Sequence, residues 1–332
     1  MEPPLGEPLT ATLRDQLSDR RQRLVDVVDR VGQAPDLLRL LLEVDSALKR
    51  IDHGSFGLCE VCHGTVDEPF LKANPLIQYC LCNLNADQQR ALERDLDLAA
   101  RTQWALLPPQ DLAYAGFETH FRFAPAGAVS GDYCDLLARE GAAGGLYFAV
   151  GDVSGKGVAA SFLMARLNAL FRTLIDTGEP LEMVVERANR LFSEATMPSH
   201  YATLVLGRAL PSGEVELVNA GHCPPLLVGR HGITPMPSSG LPMGLMTPGP
   251  YELHRVRLEP GDFLFLYTDG LSEAMDAGDN EYGLDRLTRL LEKHRGVPPA
   301  VLAASCLGDL ATHQAGAPRA DDLTVLIVKR SA

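Results

Sequence analysis

The sequence has no apolar run of membrane-spanning length, no basic excess, and no cationic, apolar leader in its opening residues, "MEPPLGEPLT". The first absence argues against a membrane-spanning helix and the third against a secretory signal peptide. Net charge is −13, with 12 basic against 17 acidic residues up to Trp104 and 18 against 26 beyond it. Nonspecific binding to nucleic acid or to an anionic membrane needs a basic surface, so neither is expected. Cysteine is sparse and uneven: seven residues, an odd number, four of them between positions 59 and 82. That pattern fits a reducing, cytoplasmic setting and a metal site better than a disulfide framework.

What is present is ordinary globular composition, 46% hydrophobic and 22% charged over 332 residues, enough for two domains. Residues 9–53 predict two amphipathic helices broken at "GQAPD", with Leu13, Leu17, Leu24 and Val28 on one and Leu37, Leu40, Leu41, Val44 and Leu48 on the other. Such a pair makes an antiparallel hairpin. A third helix, 87–107, runs into Pro108 and Pro109, which end it. From about Phe117 strands and turns dominate, with helices expected at 158–176, 181–196, 284–295 and 299–313. The Pro- and Gly-rich stretch 235–250 predicts a long surface loop. The division expected is 1–86, a linker helix 87–109, and 110–332.

Cys59 and Cys62 form CxxC, and Cys80 and Cys82 form CxC, seventeen residues further on. Two close pairs at this separation predict a zinc ribbon, since four thiolates close a tetrahedral structural site for one Zn²⁺. His63, adjacent to Cys62, is poorly placed to replace a thiol. The stretch "ALKRIDHGSFGLCEVCHGTVDEPFLKANPLIQYCLC" resembles the DksA/TraR family through Ala47, Leu48, Arg50, Ile51, Gly54, Gly57, Leu71, Ala73 and Pro75. That family usually closes with CxxC, so the CxC here is a departure at the last ligand. Its members act at RNA polymerase through a long coiled-coil hairpin. The hairpin here is short, which leaves a polymerase-contacting adaptor as the alternative function and not the first.

"GDVSGKG" (151–157) lies between an apolar strand and a helical run, like a phosphate-binding loop. A Walker A loop needs four residues before its Gly-Lys and a hydroxyl after it; this loop has three, and then Gly157. Ser154 lacks the preceding glycine of a nucleophile elbow. What remains is Asp152 at a strand end. Asp269, the pair Asp321 and Asp322, and Asp132 with Asp135 stand at similar places. Buried carboxylates at strand ends must be solvated, paired or bound to cations. Hard oxygen ligands select Mg²⁺ or Mn²⁺.

The segments "SGDYCD", "GDVSGKG", "NAGH", "YTDGLSEA" and "DDLTV", in this order, resemble the SpoIIE/RsbU branch of the metal-dependent protein phosphatase (PPM) family over roughly residues 105–330. The resemblance implies an α+β fold, a four-layer α-β-β-α sandwich with two Mn²⁺ or Mg²⁺ ions between its sheets. It implies Asp132, Asp152, Asp269 and Asp321 as metal ligands, the Val153 carbonyl as a further one, and Asp322 as a weaker candidate beside Asp135. The activity implied is hydrolysis of phosphoserine or phosphothreonine on a regulatory protein, in particular a STAS-domain anti-anti-sigma factor, by water activated between the ions. No cysteine nucleophile is needed, so Cys134 and Cys223 read as packing residues. Eukaryotic relatives place a histidine after Asp-Gly; here Val153 and Ser154 follow Asp152, and the general acid is unassigned. His222 reads as a satisfied strand-end histidine, Lys156 as a turn lysine or a phosphate attractor, and Arg122 as a weak candidate for the latter task.

Leu92, Leu96, Ala99, Gln103 and Leu106 form a seam on the linker helix, interrupted by Gln103. A short helix with one such seam must pack on something. Its own phosphatase domain and a second copy of the chain are the candidates, and a homodimer with Trp104 at the junction is the expectation.

Overall fold

In the computed structural model the chain forms two compact units, Met1–Asp95 and Leu96–Ala332. The structure describes residues 7–31, 35–66, 68, 71, 75–80, 86–141, 144–194, 196, 200–245, 250–316 and 319–331.

The first unit is built on helices α1 (Glu7–Val31) and α2 (Pro35–Asp52). Leu13, Leu17 and Leu24 meet Leu37, Val44, Ala47 and Ile51 in one core, as helical spacing requires. Arg14 pairs with Asp52 and Arg21 with Asp45, so the helices run antiparallel. These exposed pairs contribute at most about 1 kcal/mol each, so the apolar stripe holds the hairpin. The core continues through Phe56, Cys59, Val66 and Leu71. The hairpin turn, the Val28 side chain and Cys82 lie outside the described residues.

Helix α3 (Ala86–Trp104) follows, ending three residues earlier than its sequence suggests. The second unit holds two sheets. One has the order β1 (Asp111–Tyr114), β2 (Phe117–Ala124), β11 (Leu323–Arg330), β10 (Phe263–Tyr267), β7 (Leu226–Gly229), β8 (Gly232–Pro235). The other runs β3 (Asp132–Arg139), β4 (Gly145–Val153), β5 (Ala202–Ala209), β6 (Glu214–Ala220), β9 (His254–Arg257). The ladders are antiparallel. Helices α4 (Gly157–Ile175), α5 (Leu181–Glu194), α7 (Leu284–Lys293) and α8 (Pro299–Gln314) lie within two residues of expectation, and a short α6 (Asp269–Ser272) was not foreseen.

Strand side chains alternate between faces. In β4, Leu146, Phe148 and Val150 join a core shared with Phe121, Phe123, Leu264, Leu266, Leu326 and Val328 of the other sheet. Tyr147, Ala149 and Val153 turn instead to Met164, Leu167 and Phe171 of α4 and to Val185 and Phe192 of α5. Phe263, Phe265, Val325 and Ile327 meet Leu287, Leu291, Leu302 and Cys306 of α7 and α8. Burial on both faces is why these strands read as continuous apolar runs.

Two expectations need correction. Helix α4 is long and apolar enough to cross a membrane by length and composition alone. Met164, Leu167, Phe171, Leu174 and Ile175 are buried in the core that the β3–β4–β5 sheet shares with α4 and α5, whereas Phe162 is 71% exposed. Arg166 and Arg172 divide the run, which is why it does not stand out in the sequence. Residues 235–245 are not a free surface loop: Met236 and Met243 are buried, and Met243 exchanges backbone hydrogen bonds with Ala202.

Candidate metal centres

The carboxylates gather because of strand register. Asp152 follows Leu146, Phe148 and Val150 on the face of β4 that meets the other sheet, and Asp132 precedes Cys134 and Leu136 on the same face of β3. Asp132 and Asp152 are direct cross-strand partners. From the opposite sheet, β10 ends at Tyr267, two residues before Asp269, and Asp321 and Asp322 lead into β11.

Asp132 is fully buried, and its Oδ2 accepts hydrogen bonds from Thr324 Oγ1 at 2.6 Å and Thr268 Oγ1 at 3.0 Å. Its own N–H donates to Ser130 Oγ at 3.0 Å. Burial first, and then the charge of Asp152, hold its pKa well above the carboxylate range against the pull of the two hydroxyls. Burial, followed by Asp269, Asp321 and Asp322, pushes Asp152 up to about 7. Asp269 is raised by burial and by Asp321. Like charges facing one another in a poorly solvated place call for a counter-cation. One is present already: the Lys156 ammonium donates to Asp321 Oδ2 at 3.1 Å and to the Ala320 carbonyl at 2.9 Å.

Two glycines let the backbone close around this group. A Cβ on Gly131 would sit 2.8 Å from the Val153 carbonyl oxygen and 3.3 Å from Asp152 Oδ1, so its absence leaves a cradle walled by two hard oxygens. On Gly270 a Cβ would meet the Asp322 carbonyl at 1.8 Å. The donor set, its excess negative charge and this cradle fit divalent cations of the Mg²⁺ or Mn²⁺ type. Among the described residues no three of these carboxylates bring oxygens within 4.8 Å of one another. Such ions keep several waters and need no closed protein cage.

Other nominated residues have separate tasks. Asp322 accepts from Ala126 N at 2.7 Å and Gly131 N at 3.0 Å, one bond on each oxygen. Asp135 is locked by a two-pronged Arg172 contact at 2.8 Å on both oxygens. His222 is buried, held near pKa 4 by desolvation, with Nδ1 2.8 Å from Thr203 Oγ1 and its backbone tied to Asn219. Cys134 is buried in the core between the sheets, while Cys223 is partly buried against the α7–α8 core. Arg122 stands on β2 opposite Val325. Sequence reasoning missed Thr268, Thr324 and Ser130, although each stands within two residues of a nominated aspartate; it also missed Gln103.

In the first unit, Cys59, Cys62 and Cys80 bring their sulfurs within 4.8 Å of one another, the one three-donor set of this kind among the described residues. The segment turns tightly: Gly64 N donates to Cys62 Sγ at 3.4 Å, and His63 adopts a left-handed φ of 56°. Backbone donors from Cys62, Cys80 and Val61 lower the Cys59 thiol to about 7. Cys62 Sγ lies 3.3 Å from Cys80 Sγ, and Cys80 is in a disulfide, a departure from the expected four thiolates. Sulfurs gathered this closely are placed to oxidise as well as to bind a soft metal.

Fold and site together define a PP2C-type phosphatase domain: a mixed α+β unit with two antiparallel sheets and an acidic cluster at their shared end. Residues 142–331 match the family described as Stage II sporulation protein E (SpoIIE), and the chain belongs to that family. It is 26% identical to Protein IcfG of Synechocystis sp. over 63% of this chain and 37% of that protein. It is 24% identical to "Phosphoserine phosphatase RsbU" of Bacillus subtilis over 73% of this chain and 72% of that protein. The SiaA-PP2C domain of Pseudomonas aeruginosa shares the fold, with a TM-score of 0.64 and 21% identity over 74% of this chain and 98% of that one. The chain thus spans little more than a third of IcfG but most of RsbU.

Proposed function

We propose that this protein is a metal-dependent protein phosphatase that hydrolyses phosphoserine or phosphothreonine on a regulatory protein, with Asp132, Asp152, Asp269, Asp321 and the Val153 carbonyl holding two Mn²⁺ or Mg²⁺ ions. The observation that carries this reading is the convergence, from two sheets, of carboxylates whose pKa values are raised by burial and by one another. When bound, the ions supply a nucleophilic water and offset phosphoryl charge. Asp132, fixed by two threonine hydroxyls, is the preset member of the set. Asp152, Asp269 and Asp321 are only partly buried and stand where solvent and substrate enter. Asp322 holds the loop before β3 and leaves coordination to its neighbour. Lys156 neutralises Asp321 until a cation or phosphate competes for it. The three hydrophobic clusters support the α-β-β-α layering.

The name of RsbU supports phosphoserine, and the resemblance supports a STAS-domain substrate in partner switching and a cytoplasmic setting. The sulfur cluster supports one structural Zn²⁺ on Cys59, Cys62, Cys80 and Cys82, provided Cys80 is reduced. Leu92, on the seam of α3, is exposed, which supports a homodimer through that helix. The test is hydrolysis of a serine-phosphorylated STAS protein and of an aryl phosphate, with and without Mn²⁺. No Mn²⁺-dependent turnover of either would defeat the reading.

A further inference from the structure

The residue that interrupts the apolar seam of α3 is its anchor. Gln103 is 5% exposed, and its amide grips the backbone of Ser130 from both sides: Nε2 donates to the Ser130 carbonyl at 2.6 Å, and Oε1 accepts from the Ser130 N–H at 2.9 Å. A primary amide carries two N–H donors and a carbonyl acceptor, and the N–H syn to the carbonyl lies on the same edge as the oxygen, so one edge can pair with both backbone groups of a single residue. Ser130 needs such a partner. It is fully buried in the irregular segment between β2 and β3, where no ladder reaches it, and a backbone group left unmet there would lose its hydration with nothing in exchange.

Ser130 then passes the constraint on. Its Oγ accepts from the Asp132 N–H at 3.0 Å, and the next residue, Gly131, forms the cradle beside Asp152 Oδ1 and the Val153 carbonyl. Asp322 grips the same segment from the other side, through Ala126 N and Gly131 N. The loop that sets the buried carboxylate is therefore clamped twice, once by an aspartate adjoining the site and once by the penultimate residue of α3.

We infer that Gln103 is a positioning residue for the metal site: its amide fixes the 125–131 loop, and through it Asp132 and the Gly131 cradle. The inference rests on the phosphatase reading for its consequence in catalysis, but on hydrogen bonds alone for its consequence in metal binding. The test is titration of the full-length protein with Mn²⁺ by calorimetry, alongside phosphate-ester turnover. Gln103→Met keeps the shape and removes both bonds. Gln103→Glu keeps the acceptor and sets an oxygen against the Ser130 carbonyl. Both are expected to weaken Mn²⁺ binding about tenfold, as outer-shell losses do. Ser130→Ala should weaken it too, and should add less than its own effect on top of Gln103→Met, because the two act in series. Val218→Ala, a core truncation in the sheet that carries Asp132, is the control for general loosening.

Equal Mn²⁺ affinity in wild type and both Gln103 variants would overturn the inference. So would an equal loss in Val218→Ala at matched thermal stability. Should Gln103→Met fail to fold, Gln103→Glu and Ser130→Ala decide by the same titration. Wild type that binds Mn²⁺ but hydrolyses no ester defeats the phosphatase reading and leaves the clamp to be judged by affinity. Wild type that binds no Mn²⁺ defeats both.

Discussion

The chain gathers cysteines in one place and carboxylates in another, and prepares the two sets in opposite ways. At the cysteine turn, backbone donors aim at sulfur and bring Cys59 down to about 7, so the ionised ligand is stabilised before any metal arrives. At the acidic end of the sheets, burial and mutual repulsion push Asp152 up to about 7, so the ionised ligand is destabilised until a cation arrives. The first arrangement suits an ion that stays and holds a fold together. The second suits ions that must remain open to water and substrate, because the stress among the carboxylates is relieved only by their charge. The proposed difference between the two centres thus begins in what the backbone offers each.

The sharpest way to break this contrast is to remove charge at the acidic end. Asp152→Asn or Asp269→Asn should lower Mn²⁺-dependent hydrolysis by at least about 100-fold, since metal stabilisation of the transition state is worth several kcal/mol. The same variants should fold, and without metal should be at least as heat-stable as wild type, because a repelling charge is gone. Near wild-type turnover in both would sink the two-ion mechanism. A lower metal-free Tm in both would show that the carboxylates support the fold and are not strained.

At the cysteine end the expected effect is structural. Reduced protein purified without chelators should carry about one Zn²⁺ per chain. Strong chelation should unfold the cysteine turn and its part of the Phe56–Val66–Leu71 core while the sheets keep their secondary structure. Mild chelation should stop hydrolysis first and leave this zinc in place. Absence of zinc by elemental analysis, with four freely titrating thiols, would leave the turn with packing alone.

A smaller effect should separate the centres by pH. Asp152 is raised to about 7, and Asp132 and Asp269 are raised in the same direction, so above the ordinary carboxylate range the metal-free fold binds more protons than the unfolded chain. Its stability should fall as pH rises from that range through about 7. Mn²⁺ takes the place of those protons, so the rise in Tm that it causes should be larger at pH 8 than at pH 5. At about 2–4 °C per kcal/mol the difference is readable by calorimetry. A Tm increment independent of pH would mean that the carboxylates are already ionised at low pH, and that their proximity costs nothing.

How much of this was legible in the chain differs between the two places as well. CxxC and CxC lie close in sequence, so the approach of Cys59, Cys62 and Cys80 could be read directly, whereas Cys82 lies outside the described residues. Asp132 and Asp152 were legible one by one from their Gly-Asp motifs, and their pairing follows from strand alternation once β3 and β4 are known to be neighbours. Their partners Thr268 and Thr324 were visible in "YTDG" and "DDLTV", but nothing local says that two hydroxyls 56 residues apart meet one carboxylate. The Lys156–Asp321 and Gln103–Ser130 contacts are non-local in the same way. Gln103 was misread for a further reason: periodicity scores a polar residue in an apolar seam as a fault, whereas a buried amide bonded through both its nitrogen and its oxygen is an anchor.

That misreading changes what the rest of the seam is for. With Gln103 turned to Ser130, the residues left on the seam of α3 are Leu92, which is exposed, and Leu96 and Ala99, which are partly buried. Trp104 packs edge-on against Phe123 with ring centroids 5.4 Å apart, and its ring is still half exposed. A helix anchored at its last turn, with Leu92 exposed and Leu96 partly buried on the same seam at mid-helix, is suited to meet a second copy of itself there. Leu96→Asp would place a charge in that contact and should give monomers by light scattering. Because the same helix ends on the Gln103 clamp, turnover should change by a few-fold, and Trp104 emission should shift with it. Mn²⁺ affinity of the monomer should then move in the same direction as turnover, since the clamp reports to Asp132 and not to the substrate. If wild type and Leu96→Asp share one mass and one rate, α3 is a spacer, and the two centres work without reference to each other.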